Sequence, residues 1–320
     1  MAIGAALLAF ALGPGVAGAR VSHKLSKAQA RRAVAFWTPA RMARARPLDR
    51  LRRGSPSLVA APQAAGSSSA GSTHVYPPTA PADQASASSA TETVPDPTAP
   101  LARTNGVVFM VTPFGLGRCS GTSVNAPNHS VVLTAGHCID DGTAFSRFLT
   151  KRWVFVPGYR YGQRPFGVFA AKWLATTRQW HVAHNENYDV GAAVVSRNER
   201  GQLLSRAVGG TGIAWGLKPR QVFDVHGYPV EPPFDGETQQ ACLQTPFLGH
   251  DPRSFFSPGP LNLGVECETN GGSSGGGWTI RGRILNGVTT YGYEGDPSTD
   301  FGPYFGREVG RLYVRARRVR

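Results

Sequence analysis

Short apolar runs, an excess of turn-forming residues and the lack of any sustained helical period together predict an all-β architecture. The 320 residues include 39 Gly and 25 Pro, and only 17% are charged. A coiled coil or helical solenoid would instead be rich in Ala, Glu, Lys and Leu. No apolar stretch approaches the roughly 20 residues a helix needs to cross a bilayer, so no stable membrane insertion is expected. Apolar, β-branched or aromatic runs recur at 107–111, 131–135, 153–156, 190–195, 221–225 and 284–288. Each is shorter than a typical helix of about 11 residues and lies among Gly, Pro and Asn, so each reads as a strand of a sandwich or barrel. One helical pattern comes near the end, with Val309, Leu312 and Tyr313 at i, i+3 and i+4.

The strands are preceded by about 100 residues of different character. Residues 3–13 are apolar and uncharged, and Ala17-Gly18-Ala19 is a small-residue cleavage signal, so residues 1–19 read as a secretory signal peptide. Residues 20–53 are basic, with Arg31, Arg32, Arg41, Arg44, Arg46 and Arg50 among others, and have the length for short helices. Residues 54–103 are dominated by Ser, Ala, Pro, Thr and Gly. Such a segment buries too little surface to offset its ordering entropy and is expected to be a disordered linker. Residues 313–320 read as a basic tail. The net charge of +14 is spread along the chain with no aromatic-basic RNA motif, which suits solubility or attraction to a cell wall better than nucleic-acid binding.

Four cysteines stand at 119, 138, 242 and 267. In an exported protein they read as two disulfides, and in a cytosolic one a metal site would compete. No Cys-x-x-Cys pair is present, so zinc-ribbon spacing is absent.

Three stretches carry chemistry. Leu133-Thr134-Ala135-Gly136-His137-Cys138 closes an apolar strand; Asn187-Tyr188-Asp189-Val190-Gly191 sets one carboxylate at the start of another; Gly271-Gly272-Ser273-Ser274-Gly275-Gly276-Gly277-Trp278 is a glycine turn around two serines. Singly, a His beside a Cys can be structural, an Asp at a strand edge a turn former, and a Gly/Ser run a linker. A linker, however, is not fenced by Cys267 and Trp278. Jointly the three supply a weak hydroxyl nucleophile, a base for its proton and an acceptor that fixes the base's tautomer. His, then Asp, then Ser is one of the chain orders in which that triad occurs.

On these motifs the chain resembles the secreted chymotrypsin-fold (trypsin-like) serine peptidases, especially the bacterial, actinobacterial type related to glutamyl-endopeptidase-like enzymes. The resemblance covers about residues 104–312. It implies two antiparallel six-stranded Greek-key β-barrels, about 104–200 and 201–312, with a short C-terminal helix. It also implies that Ser274 attacks the scissile carbonyl, that His137 is general base and then acid, and that Asp189 orients His137. The backbone N–H groups of Gly272 and Ser274 would form the oxyanion hole, and Cys119–Cys138 and Cys242–Cys267 would be the disulfides. Trp37-Thr38-Pro39-Ala40-Arg41-Met42 looks like the prosegments of such enzymes, making 20–53 a propeptide that is removed between about 90 and 106. The implied activity is endopeptidase action on protein or peptide substrates by a secreted monomer, without cofactor or metal.

The chain departs from the family pattern in places. Ser273 stands where animal members hold an Asp that pairs with a freed N-terminus, Gly277 replaces the usual Pro, and Gly191 an Ala. Thr289-Thr290-Tyr291-Gly292 resembles the segment that pairs with substrate main chain. Glutamyl-specific relatives carry a His where this chain has Thr289, which argues against a Glu preference. Glu268, six residues before Ser274, is a candidate specificity acid or a surface carboxylate. Two rival readings remain: a catalytically silent binding protein of the same fold, and a metal-dependent hydrolase built on His181 and His184.

Overall fold

The computed structural model describes residues 22–48, 51–52, 72–79, 88–140, 150–269 and 271–320. The expected signal peptide and residues 53–71 and 80–87 of the expected linker lie outside the described residues.

Six strands form a closed barrel: β1 (Asn105–Thr112), β2 (Gly115–Val124), β3 (Val131–Ala135), β4 (Lys151–Pro157), β5 (Phe169–Thr176) and β6 (Val190–Val195). The antiparallel ladders run β1–β2–β3–β6–β5–β4 and return to β1. The run at 107–111 is apolar throughout because both faces of β1 are covered, as in strands buried on two sides. Val108 and Met110 face the barrel interior with Cys119, Cys138 and Phe155. Val107 and Phe109 face outward, against Ala30, Ala33, Trp37 and Met42 of the N-terminal segment.

The second half carries eight strands: β7 (Gly212–Trp215), β8 (Val222–Gly227), β9 (Gln240–His250), β10 (Leu263–Glu266), β11 (Gly277–Ile280), β12 (Ile284–Val288), β13 (Tyr291–Tyr293) and β14 (Asp296–Gly302). Their order is β13–β14–β10–β9–β8–β11–β12–β7. Among the described residues this sheet is an open path rather than the expected closed six-stranded barrel. Thr289 and Thr290 break what would be one strand into β12 and β13 by turning their backbone bonds to Gly275, Gly276 and Phe301. Phe223, Val225, Leu263, Val265 and Trp278 fill the core of this half, together with the Cys242–Cys267 bond.

Helix Arg307–Ala316 packs Val309, Leu312 and Tyr313 against Val124, Val131, Leu285 and Val288, tying the two halves together. The domain therefore does not end at 312: Tyr313 and Ala316 are fully buried, and the tail exposes its arginines only where the helix turns outward.

The N-terminal 100 residues depart most from expectation. Residues 74–76 and 88–93, expected to be disordered, form strands on β7 and β9. Open sheet edges offer backbone hydrogen bonds that composition alone does not register. A cut between 90 and 106 would thus fall in or just after the Ser88–Thr93 strand. The basic segment also docks on the barrel. Ser22–Lys24 pairs with β5, and helix Lys27–Phe36 is capped at both Ser26 backbone and side chain by a reciprocal Gln29 box. Trp37 is 1% exposed, and its indole N–H donates to Arg152 O at 2.6 Å. Trp37→Ala should cost about 3–5 kcal/mol of docking free energy. Limited proteolysis would read this as faster cleavage within 22–48 while the barrel stays resistant.

Candidate active site

Register brings His137 to Asp189. Val190 lies opposite Ala135 in the β6–β3 ladder, so the residue before β6 and the second residue after β3 emerge side by side. The carboxylate of Asp189 clamps His137 twice: Oδ1 accepts from the backbone N–H at 2.8 Å and Oδ2 from ring Nδ1 at 2.7 Å. A carboxylate only accepts, so the ring proton sits on Nδ1 and Nε2 carries the lone pair. Both side chains are 2% exposed. Between them Gly136 is required: a Cβ there would lie 2.7 Å from Asp189 Oδ1 and 2.9 Å from the Trp180 ring. Trp180 packs edge-on to His137, with its indole N–H bound to Asp140 O.

The glycine turn sets Ser274 beside this pair. Ser274 O accepts from Ser120 N–H at 2.7 Å and lies 3.7 Å from Cys138 Sγ. Cys119 Sγ, Cys138 Sγ and a His137 ring nitrogen all lie within 4.8 Å of one another. The two sulfurs are bonded at 2.04 Å, so they offer no thiolates to a metal and instead fasten the His137 loop to β2. Replacing Cys119 and Cys138 together by Ala should lower the unfolding free energy by about 3 kcal/mol for a loop of this length, read by denaturant titration. His137 Nε2 is buried and makes no hydrogen bond, so the Ser274 hydroxyl is not hydrogen-bonded to it in this conformation. Such contacts commonly tighten only when substrate binds.

The peptides expected to supply the oxyanion donors are held from behind. Gly271 O accepts from Val230 N–H at 2.6 Å, and Ser273 O accepts from Gly276 N–H at 2.7 Å. In a trans peptide the N–H points opposite the C=O, so these bonds turn the Gly272 and Ser274 N–H groups to the other side. Glycine is demanded at two positions. Gly272 has φ +107° and a Cβ there would collide with Tyr228 O; Gly275 has φ +84° and a Cβ would collide with Thr134 Oγ1. Burial holds the nearby Tyr228 hydroxyl far above its ordinary pKa, with Arg118 opposing, so it stays neutral.

The expected substrate-pairing segment follows at once. Thr289 O accepts from Gly275 N–H at 2.7 Å and Thr290 N–H donates to Phe301 O at 2.8 Å. Tyr291 stacks on Phe301 and its hydroxyl donates to Asp251 at 2.5 Å, leaving Gly292 half-buried at the strand edge. Glu268 is exposed rather than sunk in a pocket. The buried carboxylate of this region is Asp300, which accepts from both Thr269 and Thr289 hydroxyls. Sequence reasoning missed it because it lies in a turn-rich acidic stretch with no motif. It also missed Ser120, whose hydroxyl donates to Gly272 O at 2.9 Å and accepts from Tyr228 N–H at 3.0 Å. The rival metal pair does not assemble: His181 Nδ1 binds the Asp140 carboxylate at 2.5 Å, an intramolecular tie between the loops carrying Asp189 and His137.

Solved structures give the comparison. Over 72% of this chain and 100% of the other, it is 31% identical to the protease Anisep from Arthrobacter nicotinovorans, with a TM-score of 0.63. Over 68% of this chain and 98% of the other, it is 33% identical to the thermostable serine protease AL20 from an extremophilic microorganism, with a TM-score of 0.62. A Glu endopeptidase shares the fold at 16% identity and a TM-score of 0.54, covering 72% of this chain and 97% of its own. No protein-family model and no curated protein matches the chain.

Proposed function

Since the chain belongs to the chymotrypsin-fold serine peptidases, we propose that it is a secreted serine endopeptidase acting through Ser274, His137 and Asp189. The observation that carries the reading is the double clamp of Asp189 on His137, which leaves a basic Nε2 facing the side of the nucleophile turn. His137 Nε2 takes the Ser274 proton as Oγ adds to the scissile carbonyl. The resulting oxyanion is held by the Gly272 and Ser274 N–H groups, worth about 3 kcal/mol of barrier each. The imidazolium, stabilised by Asp189, then protonates the departing amine, leaving an acyl-enzyme on Ser274. Water, deprotonated by His137, releases the acid and restores the hydroxyl. The disulfides support an oxidising, extracellular setting.

A fluorophosphonate probe tests the assignment on the purified protein: peptide mapping should find the adduct on Ser274. An adduct on another serine, with Ser274 unmodified, overturns it. The departure of Thr289 from the His of glutamyl-specific relatives leads us to expect cleavage that does not favour Glu; a profile of cleaved bonds reads this directly.

A further inference from the structure

A segment of the same chain already occupies the strand edges on both sides of Ser274. Arg46–Pro47 pairs in parallel with Gly117–Arg118 of β2, and Leu48 N–H donates to Arg118 O at 3.3 Å. The Leu48 side chain fills the space left by the missing Cβ of Gly117, which would lie 3.0 Å from Leu48 Cδ2. It packs on the cluster that includes Met110, Cys119 and Cys138. Leu51–Arg52 then pairs in parallel with Gly292–Tyr293 of β13. Both edges lead into the nucleophile turn. Arg118 precedes Cys119 and Ser120, whose N–H binds Ser274 O; Gly292 follows Thr289, whose carbonyl binds Gly275 N–H. From Pro47 to Leu51 an extended chain spans at most about 14 Å, so the chain passes from one flank of the nucleophile to the other with no room for a long detour.

The direction of this crossing matters. The general acid must reach the departing amine, so the half of a substrate C-terminal to the cut bond lies on the side of His137. The Cys119–Cys138 bond and the Gly117–Arg118 edge are on that side. The N-terminal half therefore lies along Gly292. A substrate runs from the β13 edge to the β2 edge, whereas residues 46–52 run from the β2 edge to the β13 edge.

We propose that residues 46–52 are a built-in inhibitory strap, laid across the substrate cleft in the reverse of the productive direction. The inhibitory role rests on the peptidase reading; the occupancy of the edges does not. Main-chain pairing gives the strap the grip of a substrate, while reversal places no peptide bond with its carbonyl toward the oxyanion donors and its amine toward His137. Upstream, the buried Trp37 and Met42 hold it to the first barrel. The full chain is thus latent, and release of the segment frees both edges together.

The test compares the full chain with its Leu48→Pro/Leu51→Pro variant, in which both residues lose the N–H that pairing uses. Probe labelling of Ser274 should quicken at least tenfold in the variant. In the Ser274→Ala background of each, hydrogen exchange at residues 117–118 and 292–293 should be slow in the parent and fast in the variant. Equal exchange in both overturns the strap whatever the catalytic outcome. Faster exchange with unchanged labelling overturns its inhibitory role. Labelling absent from every form, with the exchange difference intact, overturns the peptidase reading and the inhibition while leaving the docking in place. A synthetic peptide of residues 44–54, added to the variant, should slow labelling and remain whole; its cleavage between 48 and 51 overturns the reversed direction.

Discussion

Ser274→Ala should reduce peptide hydrolysis by about 10⁶-fold and abolish fluorophosphonate labelling, with the fold unchanged. The magnitude is that of losing the nucleophile from a triad that works as one unit, while residual rate over water comes from the oxyanion donors and binding alone. Stability should hardly move. Ser274 is buried, and the bonds that shape its turn are backbone bonds: Ser120 N–H to Ser274 O, Gly276 N–H to Ser273 O and Gly275 N–H to Thr289 O. None needs the hydroxyl. The measurement is kcat/KM on a cleavable peptide with the strap-released protein, alongside thermal unfolding. A variant that keeps a tenth of parental activity would rule out Ser274 as the nucleophile.

Asp189→Asn should lower kcat by about 10⁴, near 5.5 kcal/mol of barrier, with little change in KM. The two carboxylate oxygens have separate partners, the His137 backbone N–H and the ring Nδ1–H. An amide can accept at only one of these places. If its oxygen keeps the backbone N–H, its NH₂ faces Nδ1 and drives the ring proton to Nε2, where it blocks transfer from Ser274. If it turns over, the NH₂ opposes the backbone donor and the His137 loop loses its clamp. Either arrangement removes the base, so the loss should appear in kcat. An Asn variant within tenfold of the parent would show that Asp189 does not set the tautomer.

The site was legible in the sequence wherever local chemistry is unusual. A glycine turn fenced by Cys267 and Trp278 has few uses, and its glycines are sterically required: Gly272 and Gly275 hold positive φ against Tyr228 and Thr134. His137 and Asp189 were legible because each terminates an apolar strand, and paired strands bring such termini together. Strands β2 and β9 were missed. Gly, Ser and Thr dominate one and Gln, Thr and Pro interrupt the other, so neither has the apolar run that marks a strand from composition. Asp300 and Ser120 were missed for a different reason: a buried acceptor or a buttressing hydroxyl has no local signature, only partners far along the chain. The linker was misread where it lends strands to open edges, since Ser88–Thr93 carries no apolar pattern of its own and is held by its pairing to β9.

The amino-acid order alone determined an all-β chain with a nucleophile turn, a base and an orienting carboxylate, because alternation, turn chemistry and φ requirements act within a few residues. Tertiary structure decided the rest. Which face of β1 the basic segment covers, which carboxylate is buried beneath Thr289, and in which direction residues 46–52 cross the cleft all depend on register between strands more than 50 residues apart. Register is fixed by the burial of whole faces, and that is a property of the assembled barrel rather than of any one segment.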